Sequence, residues 1–234
     1  MKNKGLDISA AKERLLDAAL DHVAFEGWSD ATFRAAAGEA GIAPDVARVI
    51  CPRGALDLAV AYHRRGDARM AEALANANLG GMRFRDKVTL AVRLRLEASD
   101  REAARRGAAL FALPPNAVTG AALIWGTANA IWRALGDRSD DINWYSKRAT
   151  LSAVYSATVL FWLGDESEGQ RASWEFLDRR VGEVMQFEKI KARVRENPVL
   201  ARVLAGPLRA MQKVRAPAHV PPDLPGRAGE GDGE

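Results

Sequence analysis

Cysteine and histidine are scarce in this chain. Its 234 residues include one cysteine, Cys51, and three histidines, His22, His63 and His219. A lone cysteine cannot form an internal disulfide, and we interpret Cys51 as a buried packing residue of a protein from a reducing compartment. No histidine follows a glutamate by three residues, so the Glu-x-x-His signature of di-iron helical bundles is missing. We predict no cofactor, no metal site and no enzymatic activity.

Long apolar runs are also missing. The longest, around residues 153–163, is about half of the roughly 20 residues that a membrane-spanning helix needs. Residues 1–13 lack the apolar segment of a signal peptide. We therefore expect a cytoplasmic protein whose contact with any membrane is peripheral.

Apolar residues recur with helical spacing and never alternate as they do in a strand. The predicted helices cover residues 10–26, 30–40, 44–50, 55–75, 84–96, 100–113, 117–135, 144–163 and 167–189. The fold class is therefore all-α. We divide the chain into a flexible N-terminus (1–8), a helix-turn-helix-like domain (9–78) and a larger helical domain (82–188), with a glycine pair at 80–81 as the linker.

The first domain resembles the N-terminal domain of tetracycline-repressor-type regulators over residues 12–58, where two short helices flank a glycine turn at Gly41. Residues 9–75 nevertheless carry eight basic and ten acidic side chains. DNA binding depends on neutralising phosphates with lysine and arginine, so we predict no nucleic-acid partner. The polar cluster at 63–67 is interpreted as a solvated helix end. A ligand-responsive transcriptional regulator that binds DNA is the alternative function.

Aromatic residues concentrate in the second domain. Two predicted helices there carry large aromatics on faces that also hold small residues, a pattern that either interdigitates as core or leaves an apolar cavity. The candidate cavity residues are Trp125, Asn129, Trp132, Leu151, Val154, Tyr155, Thr158, Phe161 and Trp162.

A second aromatic feature follows the acidic loop at 137–141. Trp144 and Tyr145 are adjacent at a predicted helix start, and adjacent helical residues point about 100° apart, so both cannot face the core. An exposed aromatic at a rim is typical of a binding hot spot, although a local hydrophobic staple has the same pattern.

Four segments, at 51–60, 63–67, 141–150 and 174–180, resemble the ubiquinone-biosynthesis accessory protein family. The resemblance covers roughly residues 10–215 and is most specific at Asn143-Trp144-Tyr145-x-x-Arg148-Ala149. It implies a non-enzymatic homodimer of tetracycline-repressor fold, in which residues 82–188 are the helical lipid-binding and dimerisation domain. Such a protein binds an isoprenoid quinone or other lipid, here through the nine candidate cavity residues as its lipid-binding residues, and presents it to the di-iron demethoxyubiquinone hydroxylase. The partner-facing residues would be Leu113, Pro114, Trp144 and Tyr145.

Positive charge is concentrated near the C-terminus, where residues 189–215 hold eight basic side chains and one acid. A helix wheel from residue 197 places apolar and basic residues on opposite sides, as in helices that lie in a membrane interface. The candidate membrane residues are Val199, Leu200, Arg202, Val203, Leu204, Leu208, Arg209 and Met211. We therefore predict peripheral association with the inner (cytoplasmic) membrane through 189–215, or alternatively a helix docked on the protein itself. Residues 216–234 are predicted to be disordered.

Overall fold

The described part of the chain is helical and contains no strand. The computed structural model describes the backbone of residues 7–140 and 142–196, with side chains for 7–140 and 143–184. The helices are α1 (Ile8–Glu26), α2 (Asp30–Glu39), α3 (Pro44–Ile50), α4 (Ala55–Asn76), α5 (Phe84–Glu97), α6 (Arg101–Ala112), α7 (Ala117–Ala134), α8 (Ile142–Gly164) and α9 (Arg171–Glu196). The all-α prediction is confirmed.

The first eight predicted helices agree with the structure to within two residues at each end. The last helix differs because a short 3-10 turn, Glu168–Gln170, precedes α9, and α9 continues to Glu196 rather than ending at residue 189. The predicted membrane residues at 199–211 and the tail at 216–234 lie outside the described residues. The proposed division at 78–82 and 188–189 stays a prediction.

Side chains at the helix starts explain several of these boundaries. The Asp7 carboxylate accepts hydrogen bonds from the backbone N–H groups of Ser9 and Ala10, so α1 begins at Ile8 and not at the predicted residue 10. Ser29 caps α2 and Asp100 caps α6 in the same way. Each cap satisfies N–H groups that have no partner within the helix.

The helices enclose two apolar cores. The first lies among α1, α2, α3 and the start of α4, and includes Leu15 and Phe33. The second lies among α5, α7, α8, α9 and the end of α4, and includes Met70 and Leu177. Helix α4 contributes Leu58 to the first core and Leu74 to the second. This one helix therefore positions the two cores relative to each other.

Helices α6 and α7 meet at a bend of 97°, across a 3-10 turn at Pro114–Asn116. Among the described helices none is by itself long and apolar enough to cross a bilayer; this bent pair reaches that length and composition only when its two members are taken together. The bend is close-packed at Gly120, where an added Cβ would lie 2.8 Å from Phe111 Cβ and 3.3 Å from the Phe111 carbonyl oxygen. Only glycine allows α6 and α7 to approach this closely.

We expect Gly120→Ala to lower the free energy of unfolding by about 1–3 kcal/mol, since the new methyl group overpacks the contact with Phe111. The matched control is Gly126→Ala on the same helix, where an added Cβ meets no atom within 4 Å. Replacing a helical glycine by alanine without a clash stabilises a protein by roughly 0.5–1 kcal/mol. Urea denaturation of both variants measures the difference, and equal effects would contradict the close packing.

Candidate functional site

The main cavity, of about 400 Å³, lies between the two cores. Helices α4, α5, α6, α7 and α8 all contribute to its wall, together with Trp28 from the loop after α1. Its lining is mostly apolar, and its volume is within the range of about 300–1,000 Å³ that is usual for small-molecule sites. The cavity is therefore large enough to hold a ligand of moderate size.

Small side chains on α6 leave this space open. Ala103, Ala104, Gly107 and Ala108 all line the cavity, and their spacing repeats after one helical turn. Trp28 closes the wall beside them, with its indole N–H donating to the Ala103 carbonyl at 3.2 Å. Sequence reasoning named no residue of α6. The signal that could have found this wall is the run of alanine and glycine on one helix face, but alanine is equally common in helices without a cavity.

One wall of the cavity is polar. Arg95 lines it and is 3% exposed, and its Nε donates to Asp67 Oδ1 at 2.6 Å. The remaining guanidinium nitrogens donate to Ser99 Oγ at 2.7 Å and to the His63 carbonyl at 2.9 Å. The guanidinium lies against Gly66, where an added Cβ would come within 2.5 Å of Arg95 Nη1. A buried charge with this many partners is held in one position.

Burial shifts the pKa values of the groups around Arg95. It lowers the pKa of His63 to about 3, with the Arg95 charge acting in the same direction, so the imidazole is neutral at physiological pH. Burial also raises the pKa of Asp67, although the Arg95 charge opposes that change. The interpretation of 63–67 as a solvated helix end was therefore wrong, because α4 continues to Asn76 and turns His63 and Asp67 inward.

The nine candidate lipid-binding residues do not lie in one place. Tyr155 and Trp162 line the main cavity. Trp132, Leu151 and Val154 instead line a second cavity of about 230 Å³, bounded by α5, α7, α8 and α9.

The other four candidates contact neighbouring groups. Trp125 packs against Trp144 with ring centroids 5.9 Å apart, and Phe161 stacks on Phe176 at 4.6 Å. The Thr158 hydroxyl donates to the Val154 carbonyl at 2.7 Å. Asn129 Oδ1 accepts from Arg148 Nε at 2.8 Å. The lipid-binding role of all nine residues stays a prediction.

Trp144, Tyr145 and Trp125 form an aromatic patch on α7 and α8. The Trp144 and Tyr145 rings meet edge to face at 4.8 Å. Trp144 and Tyr145 are half-buried, so they are less exposed than the sequence suggested. The Arg148 guanidinium lies 4.0 Å from the centre of the Trp144 ring, which adds a cation–π contact.

A buried ion pair holds the aromatic patch in place. The Arg148 side chain is 2% exposed, and its Nη1 donates to Asp137 Oδ2 at 3.1 Å. Lys147 donates to the other oxygen of Asp137 at 2.8 Å. Burial acts to raise the pKa of Asp137, but hydrogen bonds from Lys147, Ser139 and Arg148 outweigh it and lower that pKa to about 2. Asp137 is therefore ionised, and it fixes Arg148 beneath Trp144.

The other two candidate partner-binding residues lie at the bend between α6 and α7. Leu113 is 52% exposed, and Pro114 begins the 3-10 turn there. Val118, on the first turn of α7, is also exposed. These residues form an apolar edge at the bend, and their role in partner binding stays a prediction.

The basic side chains of α2 and α3 form ion pairs with nearby carboxylates. Arg34 and Arg48 both pair with Asp30. Arg53, which follows α3, pairs with Asp57 at 2.7 Å. The exposed apolar residues Val46 and Val49 occupy α3 itself. The buried Cys51 follows α3, which confirms its interpretation as a packing residue.

Known proteins resemble the chain in sequence. Residues 117–188, which cover α7, α8 and the first part of α9, match the COQ9 family model. The mitochondrial ubiquinone biosynthesis protein COQ9 of Drosophila melanogaster is 32% identical over 191 residues, which are 79% of this chain and 58% of that protein. A probable ubiquinone biosynthesis protein of Dictyostelium discoideum is 30% identical over 79% of this chain and 63% of its own length. Human COQ9 is 27% identical over 75% of this chain and 58% of its own length.

The chain thus spans about three fifths of the length of these curated relatives. A solved structure, that of a TetR transcriptional regulator from Nitrosomonas europaea, shares the fold with a TM-score of 0.61 at 20% identity, over 74% of this chain and 97% of that one. The resemblance to the ubiquinone-biosynthesis family is confirmed: this chain carries a segment that matches the COQ9 family model, on a tetracycline-repressor-like helical fold.

Proposed function

We propose that this protein is a non-enzymatic accessory protein of ubiquinone biosynthesis that binds an isoprenoid quinone intermediate and presents it to the demethoxyubiquinone hydroxylase. The observation that carries the proposal is the apolar cavity of about 400 Å³ between the two cores, in a chain whose relatives are ubiquinone biosynthesis proteins.

The cavity suits the ring end of such a lipid. Its size is at the low end for small-molecule sites, so a long isoprenoid tail must continue outside it. Ala112, Ala121 and Leu160 line the cavity and are exposed, so its opening lies between α6, α7 and α8. Leu113 and Val118 extend exposed apolar surface at the α6–α7 bend. Apolar surface of this kind would cover the start of the tail.

The polar groups in the cavity favour binding over catalysis. Arg95 is committed to Asp67, Ser99 and the His63 carbonyl. His63, with a pKa of about 3, is far from the near-neutral value that suits a general acid or base. Groups arranged in this way orient a ligand and do not transform it.

Filling the cavity should abolish lipid binding. We expect lipid extracted from the purified wild-type protein to include an isoprenoid ring compound, identified by mass spectrometry, and Ala108→Phe to reduce its amount at least tenfold. Ala108 lines the cavity, whereas its neighbour Ala109 is exposed, so Ala109→Phe is the matched control and should retain the lipid. A wild-type protein without lipid, or equal retention by both variants, would contradict the proposal.

The aromatic patch is the surface that we propose for the hydroxylase. Tryptophan and tyrosine are enriched in binding hot spots, and rigid side chains lose little entropy on binding. Trp144 is held from below by Arg148, which Asp137 fixes in turn. Leu113 and Pro114 would extend the same contact.

Removing Trp144 should therefore weaken the complex with purified hydroxylase. We expect Trp144→Ala to raise the dissociation constant by roughly thirtyfold, corresponding to about 2 kcal/mol, in a titration calorimetry experiment. Trp174→Ala is the control, because Trp174 is also half-buried and also lies over an arginine, Arg93, at 4.9 Å. The patch would be excluded if Trp144→Ala left the affinity unchanged or if both variants weakened it equally.

We further propose that the protein is a homodimer associated peripherally with the inner membrane through its basic C-terminal segment. Membrane interfaces attract helices with an apolar and a basic face, as predicted from residue 197 onward. DNA binding is disfavoured because Arg34, Arg48 and Arg53 are already paired with carboxylates. The phosphate contacts that a regulator needs would have to break these pairs.

Deleting residues 197–215 tests this placement while leaving the described part of α9, which ends at Glu196, intact. The wild-type protein should float with liposomes that contain anionic lipid, and the deletion variant should not. Light scattering should show both as dimers. Charge reversal at Arg202 and Arg209 should reproduce the loss of flotation in a full-length chain. Tight, salt-sensitive retardation of DNA without flotation would instead support the regulator.

A further inference from the structure

A chain of hydrogen bonds runs along the polar wall of the main cavity and determines the tautomer of His63. Thr127 Oγ1 lies 2.8 Å from Asp67 Oδ1 and 2.8 Å from His63 Nε2. Asp67 Oδ1 also accepts from Arg95 Nε, so it acts as a carboxylate acceptor. The single hydroxyl proton of Thr127 therefore goes to Asp67 or to another of its oxygen neighbours, the Leu123 carbonyl at 3.2 Å and the Tyr155 hydroxyl.

Because Thr127 gives its proton away, its oxygen accepts from His63. The proton of the neutral imidazole is consequently on Nε2, and Nδ1 carries the lone pair. The imidazole lines the cavity and so brings a hydrogen-bond acceptor to a largely apolar wall.

Several other polar groups of the wall have already donated their protons. The Tyr62 hydroxyl donates to the Asp100 carbonyl at 3.0 Å. The indole N–H groups of Trp28 and Trp162 donate to the Ala103 carbonyl and to Gln170 Oε1. The hydroxyls of Tyr155 and Ser156 complete the polar lining, and a hydroxyl both donates and accepts.

We propose that the cavity selects a ligand whose ring head carries a free hydroxyl, that is, a phenol or a hydroquinone, and that His63 Nδ1 accepts the hydrogen bond from that hydroxyl. A ring ether or a quinone carbonyl only accepts hydrogen bonds, so it cannot pair with Nδ1, which is also an acceptor. Sites built to pair with a ligand hydroxyl reject analogues that lack it. The inference rests on the proposed lipid-binding function and specifies that the quinone intermediate is bound in its reduced, hydroquinone form.

The test compares two probes that differ by a single methyl cap, 4-heptylphenol and 4-heptylanisole, bound to the full-length protein. Titration calorimetry should give an affinity for the phenol at least tenfold higher. His63→Phe keeps an aromatic ring but removes both nitrogens. It should bring the two affinities to within about twofold of each other, chiefly by lowering the affinity for the phenol.

Val159→Ala is the control, since Val159 also lines the cavity but has no polar group. This variant should lower the affinities for both probes equally and leave the ratio of the two affinities unchanged. Equal affinities in the wild-type protein would overturn the inference whatever the variants do, and so would an unchanged ratio in a folded His63→Phe protein. If neither probe binds, the proposed lipid-binding cavity fails as well, and the mass-spectrometric measurement on co-purified lipid separates that failure from a failure of selectivity alone.

Discussion

The ion pair between Arg95 and Asp67 is the interaction on which the cavity depends. It joins α5 to α4, the helix that passes through both cores, and Thr127 extends the connection to α7. Burying two charges is costly unless their hydrogen bonds are satisfied, and here Arg95 has three partners besides the space that Gly66 provides. The pair thus separates the two cores while holding them in a fixed relation, and the cavity occupies the space between them.

The main cavity exists because the side chains of α6 that line it are small, whereas a closely packed core would have large side chains at these positions. Closely packed interiors gain dispersion energy and contain few voids, so a wall of alanine and glycine on α6 forgoes packing that larger residues would supply. Trp28 is bonded to this wall through the Ala103 carbonyl. Two packed cores with a cavity between them are the arrangement expected of a preformed ligand site.

The cavity and the aromatic patch share two helices. On α7, Leu123 and Ile124 line the cavity, whereas the next residue, Trp125, packs against Trp144. Successive helical residues point about 100° apart, so one helix serves the interior and the surface together. The segment that matches the COQ9 family, 117–188, contains both features. The α7–α8 pair therefore forms a direct physical connection between the cavity proposed to hold the ligand and the surface proposed for its recipient.

The sequence by itself determined the helices, because capping residues, glycines and apolar spacing act locally and set the backbone conformation of their own segment. It also singled out Trp144, whose surroundings resemble those of a known family. Only the tertiary structure decided which side chains surround the cavity. Alanine on α6 has no distinctive chemistry that marks a cavity. The sequence at 63–67 predicts a solvated helix end, and only the contacts of α4 with both cores show that the cluster faces the interior. Burial depends on how distant helices pack, and it is burial that turns His63 from a surface histidine into a neutral acceptor in the cavity wall.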